Sequence, residues 1–145
     1  MRAIRPVLAI GVFAAIGFAI WAQNSAQGDE ASWPVSEEKS AVTNPILADE
    51  RSAAQGKVIY ARECLSCHGV LGKGDGSAAN NLEKKVPDLS DAGMNQYSDG
   101  ALFYKITVGR RPMPNYKKTL TDEERWHIVN YMRTLTSGSK DSAKK

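Results

Sequence analysis

The sequence has few residues of the types that build thiol-rich or histidine-rich sites: two cysteines and two histidines in 145 residues. Two cysteines exclude a disulfide-rich secreted scaffold and a zinc site with four thiolate ligands. The net charge of +3 is too small to indicate a nucleic-acid-binding protein, so we expect no nucleic-acid partner. The sequence also lacks internal repeats and any convincing strand pattern, which points to a helical domain of ordinary composition.

One long uncharged run is present, and it lies near the N-terminus. Residues 6–22 are nearly all apolar, and Arg2 and Arg5 precede them. A basic start before an apolar run is typical of an export signal. At 17 residues the run is long for a signal-peptide core and short for a membrane-spanning helix. Residues 1–22 are therefore interpreted either as a cleaved signal peptide or as a retained membrane anchor. A buried soluble helix would leave the basic start unexplained. No cysteine follows the run, which excludes a bacterial lipoprotein anchor.

The rest of the chain divides by composition into three parts. Residues 23–50 are short of large apolar residues and hold six acidic residues against one basic residue, which predicts a flexible acidic linker. Residues 51–136 form the predicted folded domain, and residues 137–145 form a polar tail. A domain of about 85 residues often needs a cofactor, a metal ion or a covalent cross-link to be stable.

The spacing C-x-x-C-H at Cys64, Cys67 and His68 indicates a cofactor of this kind. This spacing matches c-type haem attachment, in which both thiols form thioethers and the adjacent histidine supplies an axial nitrogen. A thioredoxin-like pair needs a preceding strand, whereas the preceding residues here are helix-like. A zinc site lacks ligands, because only His127 remains, and a disulfide across two residues would be strained. The motif in an exported chain therefore predicts one covalent haem c.

A second axial ligand is needed if the haem transfers electrons, and the candidates are Met94, Met113, Met132 and His127. Met132 lies on the apolar face of the last predicted helix, which indicates core packing. His127 is interpreted as an ordinary helix-surface or packing residue. Met113 is flanked by two prolines, which hold it on a stiff extended loop. We therefore predict Met113 as the distal ligand, with Met94 as the second choice.

The helix signals are clear at three places. Ser52 is predicted to cap a helix from Ala53 to about Cys64, and Ser98 a helix over residues 99–108 that ends at Gly109. Residues 121–124 read as a capping box for a helix that runs to Leu135. Gly56 is costly inside a helix, so we expect another helix to approach it closely.

From about Asn44 to Leu135 the chain resembles class I monohaem c-type cytochromes, and it is most similar to the haem-c domains of cbb3-type oxidases. The matching stretches are NPILADERSAAQGKVIYARECLSCHGVLGKGDGSAANNL, VPDLSD, YSDGALFYKITVGRRPMPNY and LTDEERWHIVNYMRTL. The resemblance implies an all-α fold of about three to five helices around one covalent haem. In that fold the first and last helices cross, which places Gly56, Tyr60 and Tyr131 at the crossing.

The resemblance also assigns roles to individual residues. It implies that Cys64 and Cys67 bind the haem covalently, that His68 is the proximal ligand and that Met113 is the distal ligand. The family often has proline after the G-D-G turn, where this chain has Ser77. The sequence therefore does not identify the carbonyl group that accepts the hydrogen bond from His68 Nδ1–H.

Two axial ligands leave no open site on the iron, so we predict a one-electron carrier rather than an enzyme, alone or as a subunit of an oxidoreductase complex. Two alternatives stay open: an enzyme or gas-binding haem domain from which Met113 is displaced, and a non-haem thiol or zinc module. Expected partners are a redox donor and acceptor, such as a membrane oxidase or quinol-oxidising complex in a bacterial respiratory or related chain. The expected location is the periplasm, soluble or tethered through residues 6–22 to the outer face of the cytoplasmic membrane. Basic residues near the haem-facing motifs would steer an acidic partner: Lys73, Lys84, Lys85, Arg110, Arg111, Lys117 and Lys118.

Overall fold

The computed structural model of the protein describes residues 33–142, and its regular secondary structure in that range is helical. The predicted signal or anchor over residues 1–22 and the first part of the predicted linker lie outside the described residues. The one β-type pairing between residues 33 and 142 is an isolated bridge joining Arg110 and Met113, so the all-α prediction is confirmed. In chain order the helices are α1 (Glu37–Ser40), α2 (Glu50–Glu63), α3 (Leu65–His68), α4 (Asp99–Val108) and α5 (Asp122–Ser142), with short 3-10 turns at Ala79–Asn81 and Ala92–Gln96. None of the helices in this range combines the length and the apolar character that crossing a bilayer requires.

Helix α2 begins earlier than the sequence predicts. The carboxylate of Asp49 accepts the Ser52 amide at 2.7 Å, and the helix starts at Glu50. The prediction that Ser52 caps this helix is wrong because the aspartate three residues earlier takes that role. Ser52 is instead buried, with its Oγ 2.8 Å from His127 Nδ1 and accepting a bond from Asn130 Nδ2 at 2.7 Å.

Helices α2 and α5 cross at Gly56, as predicted. A Cβ atom at Gly56 would overlap the backbone carbonyl oxygen of His127 and would lie 2.8 Å from Tyr131 Cβ. Next to this contact, the rings of Tyr60 and Tyr131 pack edge to face, with centroids 5.1 Å apart. The absence of a side chain at position 56 therefore sets how closely the two longest helices approach each other.

The predicted ends of α4 and the start of α5 are confirmed. The Ser98 hydroxyl accepts the Ala101 amide at 3.2 Å, and Gly109 terminates α4 with a φ of +60°. At the start of α5, the Thr121 amide donates to Glu124 Oε2 at 2.9 Å and the Glu124 amide donates to Thr121 Oγ1 at 3.1 Å. Helix α5 continues to Ser142 rather than ending at Leu135, because the following residues include no proline to stop it.

The segment before α2 differs from the flexible linker that its composition predicts. Helix α1 forms within it, and the Ser98 hydroxyl donates to the Ser40 carbonyl at 2.6 Å. Asn44 Nδ2 donates to Asn130 Oδ1 of α5 at 2.8 Å, and Ile46 packs against the core. Polar groups attach this segment to α4 and α5, which is why a search for large apolar residues does not detect it.

The core lies between α2, α4 and α5. Met132 is buried in it, which confirms the interpretation of this methionine as a packing residue. His127 is also buried, so it is a packing residue rather than a surface one. Trp126 stacks on Phe103 of α4 with ring centroids 4.0 Å apart, and the guanidinium of buried Arg125 lies 4.9 Å from the Phe103 centroid.

Candidate functional site

The two cysteines and His68 lie on one tight turn, which we call the attachment turn (residues 64–68). The Cys64 amide donates to the Tyr60 carbonyl at 2.8 Å, and the chain then re-enters helical geometry as α3. The His68 amide closes the turn on the Cys64 carbonyl at 2.9 Å. Both cysteines are half-buried and form no disulfide with each other. The structure therefore brings together the three residues that the C-x-x-C-H spacing singles out.

Two buried tyrosines hold the two ends of the attachment turn. The Tyr60 hydroxyl donates to the Gly69 carbonyl at 2.8 Å, directly after His68. The Tyr116 hydroxyl donates to the Glu63 carbonyl at 2.8 Å, directly before Cys64. Burial raises the pKa of Tyr60 well above its usual range and raises the pKa of Tyr116 to about 12. Both hydroxyls therefore remain protonated donors at physiological pH.

The glycine-rich stretch after His68 is a loop, and it folds back over the attachment turn. The Gly74 amide donates to the His68 carbonyl at 2.9 Å, and the Gly76 amide donates to the Cys67 carbonyl at 3.2 Å. The Ala78 amide reaches the Ser66 carbonyl at 2.8 Å. These bonds satisfy the backbone carbonyls of α3 and fix the direction of its side chains.

His68 has a buried Nδ1 atom without a hydrogen-bond partner, the one buried side-chain nitrogen or oxygen of the described chain in this state. Burial lowers the pKa of His68, and the backbone carbonyl of Pro87 raises it by a smaller amount. The Pro87 carbonyl is thus an adjacent acceptor that does not form a hydrogen bond of normal geometry with Nδ1. The neutral imidazole favoured by burial is the form that ligates a metal.

Met113 lies within a narrow loop between α4 and α5, which we call the Met113 loop (residues 109–116). Its amide donates to the Arg110 carbonyl at 2.9 Å. The base of the loop is closed by bonds from the Tyr116 amide to the Ile106 carbonyl at 3.4 Å and from the Lys117 amide to the Thr107 carbonyl at 3.2 Å. The half-buried Met113 side chain packs against the core cluster.

Met94, the second candidate ligand, occupies the 3-10 turn Ala92–Gln96. It too is half-buried and packs against the core cluster, so burial alone does not separate the two methionines. The Met94 carbonyl accepts a bond from Arg133 Nη1 at 3.3 Å, and Arg133 also pairs with Asp99 at 2.7 Å. Beside the Met113 loop, a cleft of about 460 Å³ is lined by Asn81, Leu82, Glu83, Lys84, Arg111 and Pro112.

The environment of Cys64 favours its thiol form. Burial, followed by the nearby Glu63 carboxylate and Cys67, raises the pKa of Cys64 to about 12. Reactive and zinc-binding cysteines need a stabilised thiolate, and the part of the chain that the structure describes holds no cluster of three or more His, Cys, Asp or Glu residues able to bind a metal ion. Two unpaired thiols and a histidine on one tight turn instead fit a covalently attached haem.

Some residues around the site were not expected from the sequence. Tyr116 and Arg125 make contacts with elements that are distant in sequence. No local sequence pattern predicts these contacts. The buried polar chain from Asn44 through Asn130 and Ser52 to His127 was also missed. Ser52 was interpreted as a helix cap, and the two asparagines gave no signal, because such residues are more often found in turns and caps.

Comparisons with known proteins show the family to which the chain is similar. The sequence model of the family described as "Cytochrome C oxidase, cbb3-type, subunit III" matches residues 51–132. Cytochrome c6 of Synechococcus elongatus is 33% identical over 79 residues, which cover 54% of this chain and 85% of that protein. Cytochrome c6 of Rippkaea orientalis is 33% identical over 91 residues, which cover 63% of this chain and 76% of the relative.

Among solved structures, the chain is similar to part of the reducing HAO-like protein complex of Kuenenia stuttgartiensis. The TM-score is 0.57 at 33% identity, and the match covers 65% of this chain. It spans about half, 49%, of the matched chain. With half of its length covered by the family model, the chain belongs to the cbb3-type cytochrome c oxidase subunit III family: it is a monohaem class I c-type cytochrome, an electron carrier with one covalently bound haem c.

Proposed function

We propose that Cys64 and Cys67 carry the two thioether bonds to the haem and that His68 is the proximal ligand. The observation that carries this assignment is the placement of His68 and two unpaired thiols on one tight turn, with His68 Nδ1 buried beside the Pro87 carbonyl. The haem supplies reversible one-electron exchange at its iron. The chain supplies a fixed ring orientation, because amides of the glycine-rich loop bond to the carbonyls of the attachment turn, that of His68 included. With a backbone carbonyl beside Nδ1, Nε2 is the nitrogen available to the metal.

We propose Met113 as the distal ligand. Its support is the loop that carries it: the backbone closes on itself at Arg110 and again at the base, which gives the thioether a restrained position. A ligand held in this way loses little conformational freedom when it binds the iron. Two protein ligands keep water and other small ligands off the metal, which suits electron transfer and not substrate chemistry.

The first prediction concerns the covalent attachment. The denatured wild-type protein should retain one haem by mass spectrometry, because thioether bonds survive unfolding. Cys64→Ala should lose one of the two bonds, with a lower yield of matured protein. Ser66→Ala, between the two cysteines, is the matched control and should retain haem as the wild type does. Release of the haem from denatured wild-type protein would rule out attachment through Cys64 and Cys67.

The wider organisation is also part of the proposal. The run over residues 6–22 fits export, and the haem domain then works in the periplasm, either free or tethered to the outer face of the cytoplasmic membrane. The family match supports a subunit role beside a membrane oxidase or another respiratory complex as the finer form of the electron-carrier function. Residues 51–136 form the haem domain in this scheme, with α1 and the segment up to Asp49 packed on it.

We propose that the basic residues around the Met113 loop steer an acidic redox partner. Four of them are exposed and lie within a few residues of Met113 in sequence: Arg110, Arg111, Lys117 and Lys118. Exposed charges of one sign around a site of electron entry raise the rate of encounter with a partner of the opposite sign. Such steering weakens with salt because the screening length is about 8–10 Å at 0.1–0.15 M.

The second prediction tests this surface by charge reversal. Arg111→Glu combined with Lys118→Glu should slow electron transfer with the native partner about tenfold at low salt, since steering changes association rates by 10-fold or more. The control is Arg51→Glu with Lys57→Glu, two exposed residues of α2 that change the net charge equally. Stopped-flow rates over a salt series should converge for all three proteins. Equal slowing by both double variants would show that net charge, and not this surface, matters.

A further inference from the structure

The hydroxyl of Tyr116 connects the two segments that carry the proposed iron ligands. Tyr116 follows Met113 by three residues and closes the base of the Met113 loop through its backbone amide. Its hydroxyl crosses to the Glu63 carbonyl, 2.8 Å away, directly before Cys64. The two residues are 53 positions apart in sequence, so this bond joins two elements that share no local connection.

We propose that the Tyr116–Glu63 hydrogen bond is a cross-tie that holds the Met113 loop closed against the attachment turn, which makes Tyr116 a positioning residue for the distal ligand. The inference rests on the proposed ligation by Met113. The ring is buried, and its hydroxyl satisfies a carbonyl in the last turn of α2, where no helical partner is available. Water is therefore poorly placed to replace the bond while the loop is closed.

The effect of this bond follows from the two states of the loop. Were Met113 to leave the iron, an outward movement of the loop would carry Tyr116 away from the attachment turn and would break the cross-tie. The bond stabilises only the closed state, so its removal shifts the population towards the open state. An external ligand that binds only the open state then binds more tightly in proportion to that population.

Tyr60 provides a matched comparison within the same site. Its hydroxyl makes an equally short bond, 2.8 Å, to the Gly69 carbonyl on the other end of the attachment turn. Both groups in this bond belong to the proximal side, since Tyr60 lies in α2 and Gly69 follows α3. The bond therefore persists in both states of the Met113 loop, and its loss should not change the balance between them.

The experiment is an imidazole titration of the ferric holoprotein, followed by absorption, for wild type, Tyr116→Phe and Tyr60→Phe. Tyr116→Phe should bind imidazole about threefold to tenfold more tightly, the range expected from the loss of one hydrogen bond in the closed state alone. Tyr60→Phe should stay within about twofold of wild type. Denaturant unfolding of all three proteins separates a loss of overall stability from a selective opening of the loop, since each tyrosine variant loses one hydrogen bond.

The outcomes separate the cross-tie from the ligand assignment. If Met113→Ala retains the thioether–ferric charge-transfer absorption, the assignment of Met113 is wrong and the cross-tie proposal is overturned with it. If that absorption depends on Met113 but the two tyrosine variants bind imidazole alike, the assignment stands and the cross-tie is overturned. Tighter binding in Tyr116→Phe alone, with similar stability of both variants, is the result expected.

Discussion

Met113→Ala should convert a closed haem protein into an open one. The variant should lose the thioether–ferric charge-transfer absorption, and its ferrous form should bind carbon monoxide, which the wild type should not bind. The reason is that a methyl group cannot reach the iron from the Met113 loop, whose backbone is held by bonds at Arg110 and at its base. The reduction potential should also fall, because the thioether ligand raises it.

Met94→Ala is the matched control for this prediction. Met94 is, like Met113, half-buried and packed against the core cluster, so its removal also takes a methionine side chain from the edge of the core. The control should keep the absorption and stay closed to carbon monoxide. Loss of the absorption in Met94→Ala, with retention in Met113→Ala, would transfer the distal role to Met94. An open site in the wild type would instead support the enzyme or gas-binding alternative.

The residues of the attachment turn could be predicted from the sequence because their chemistry is local. Cys64, Cys67 and His68 are neighbours in the chain, and their spacing alone specifies what they can bind. The capping box at Thr121 and the cap at Ser98 were correct for the same reason, since each depends on residues within three or four positions. The helix crossing could also be predicted, because glycine destabilises a helix interior and its presence at position 56 indicated a close contact with another element.

The remaining features depend on contacts between distant residues. Ser52 looks like a cap, and only the packing of α5 against α2 shows that its hydroxyl serves His127 and Asn130 instead. The segment with α1 looks like a linker because its attachment uses single polar bonds, such as Asn44 to Asn130, rather than an apolar stripe. The hydrogen bond of the Tyr116 hydroxyl could not be predicted from the sequence either. Its acceptor is the backbone carbonyl of residue 63, which any amino acid at that position would supply.

Gly56→Val should destabilise the holoprotein by roughly 3 kcal/mol, at the upper end of the range for overpacked sites. The added side chain meets the backbone of α5 at His127, which cannot rotate away as a flexible side chain can. The cost arises although valine is the better helix former of the two, so local propensity acts in the opposite direction. Denaturant unfolding of the purified protein measures the difference, and the yield of haem-loaded protein should fall in parallel.

Ala54→Val is the control for this variant, because Ala54 lies two residues before Gly56 and is exposed on the same helix. It introduces the same β-branched side chain with no helix opposite, so it should cost only the propensity difference, well under 1 kcal/mol. Gly56→Ala should fall between the two variants, since one methyl group already overlaps the His127 carbonyl. If Gly56→Val is as stable as Ala54→Val, α5 does not approach α2 at this position. The close crossing would then be absent, along with the Tyr60–Tyr131 contact that depends on it.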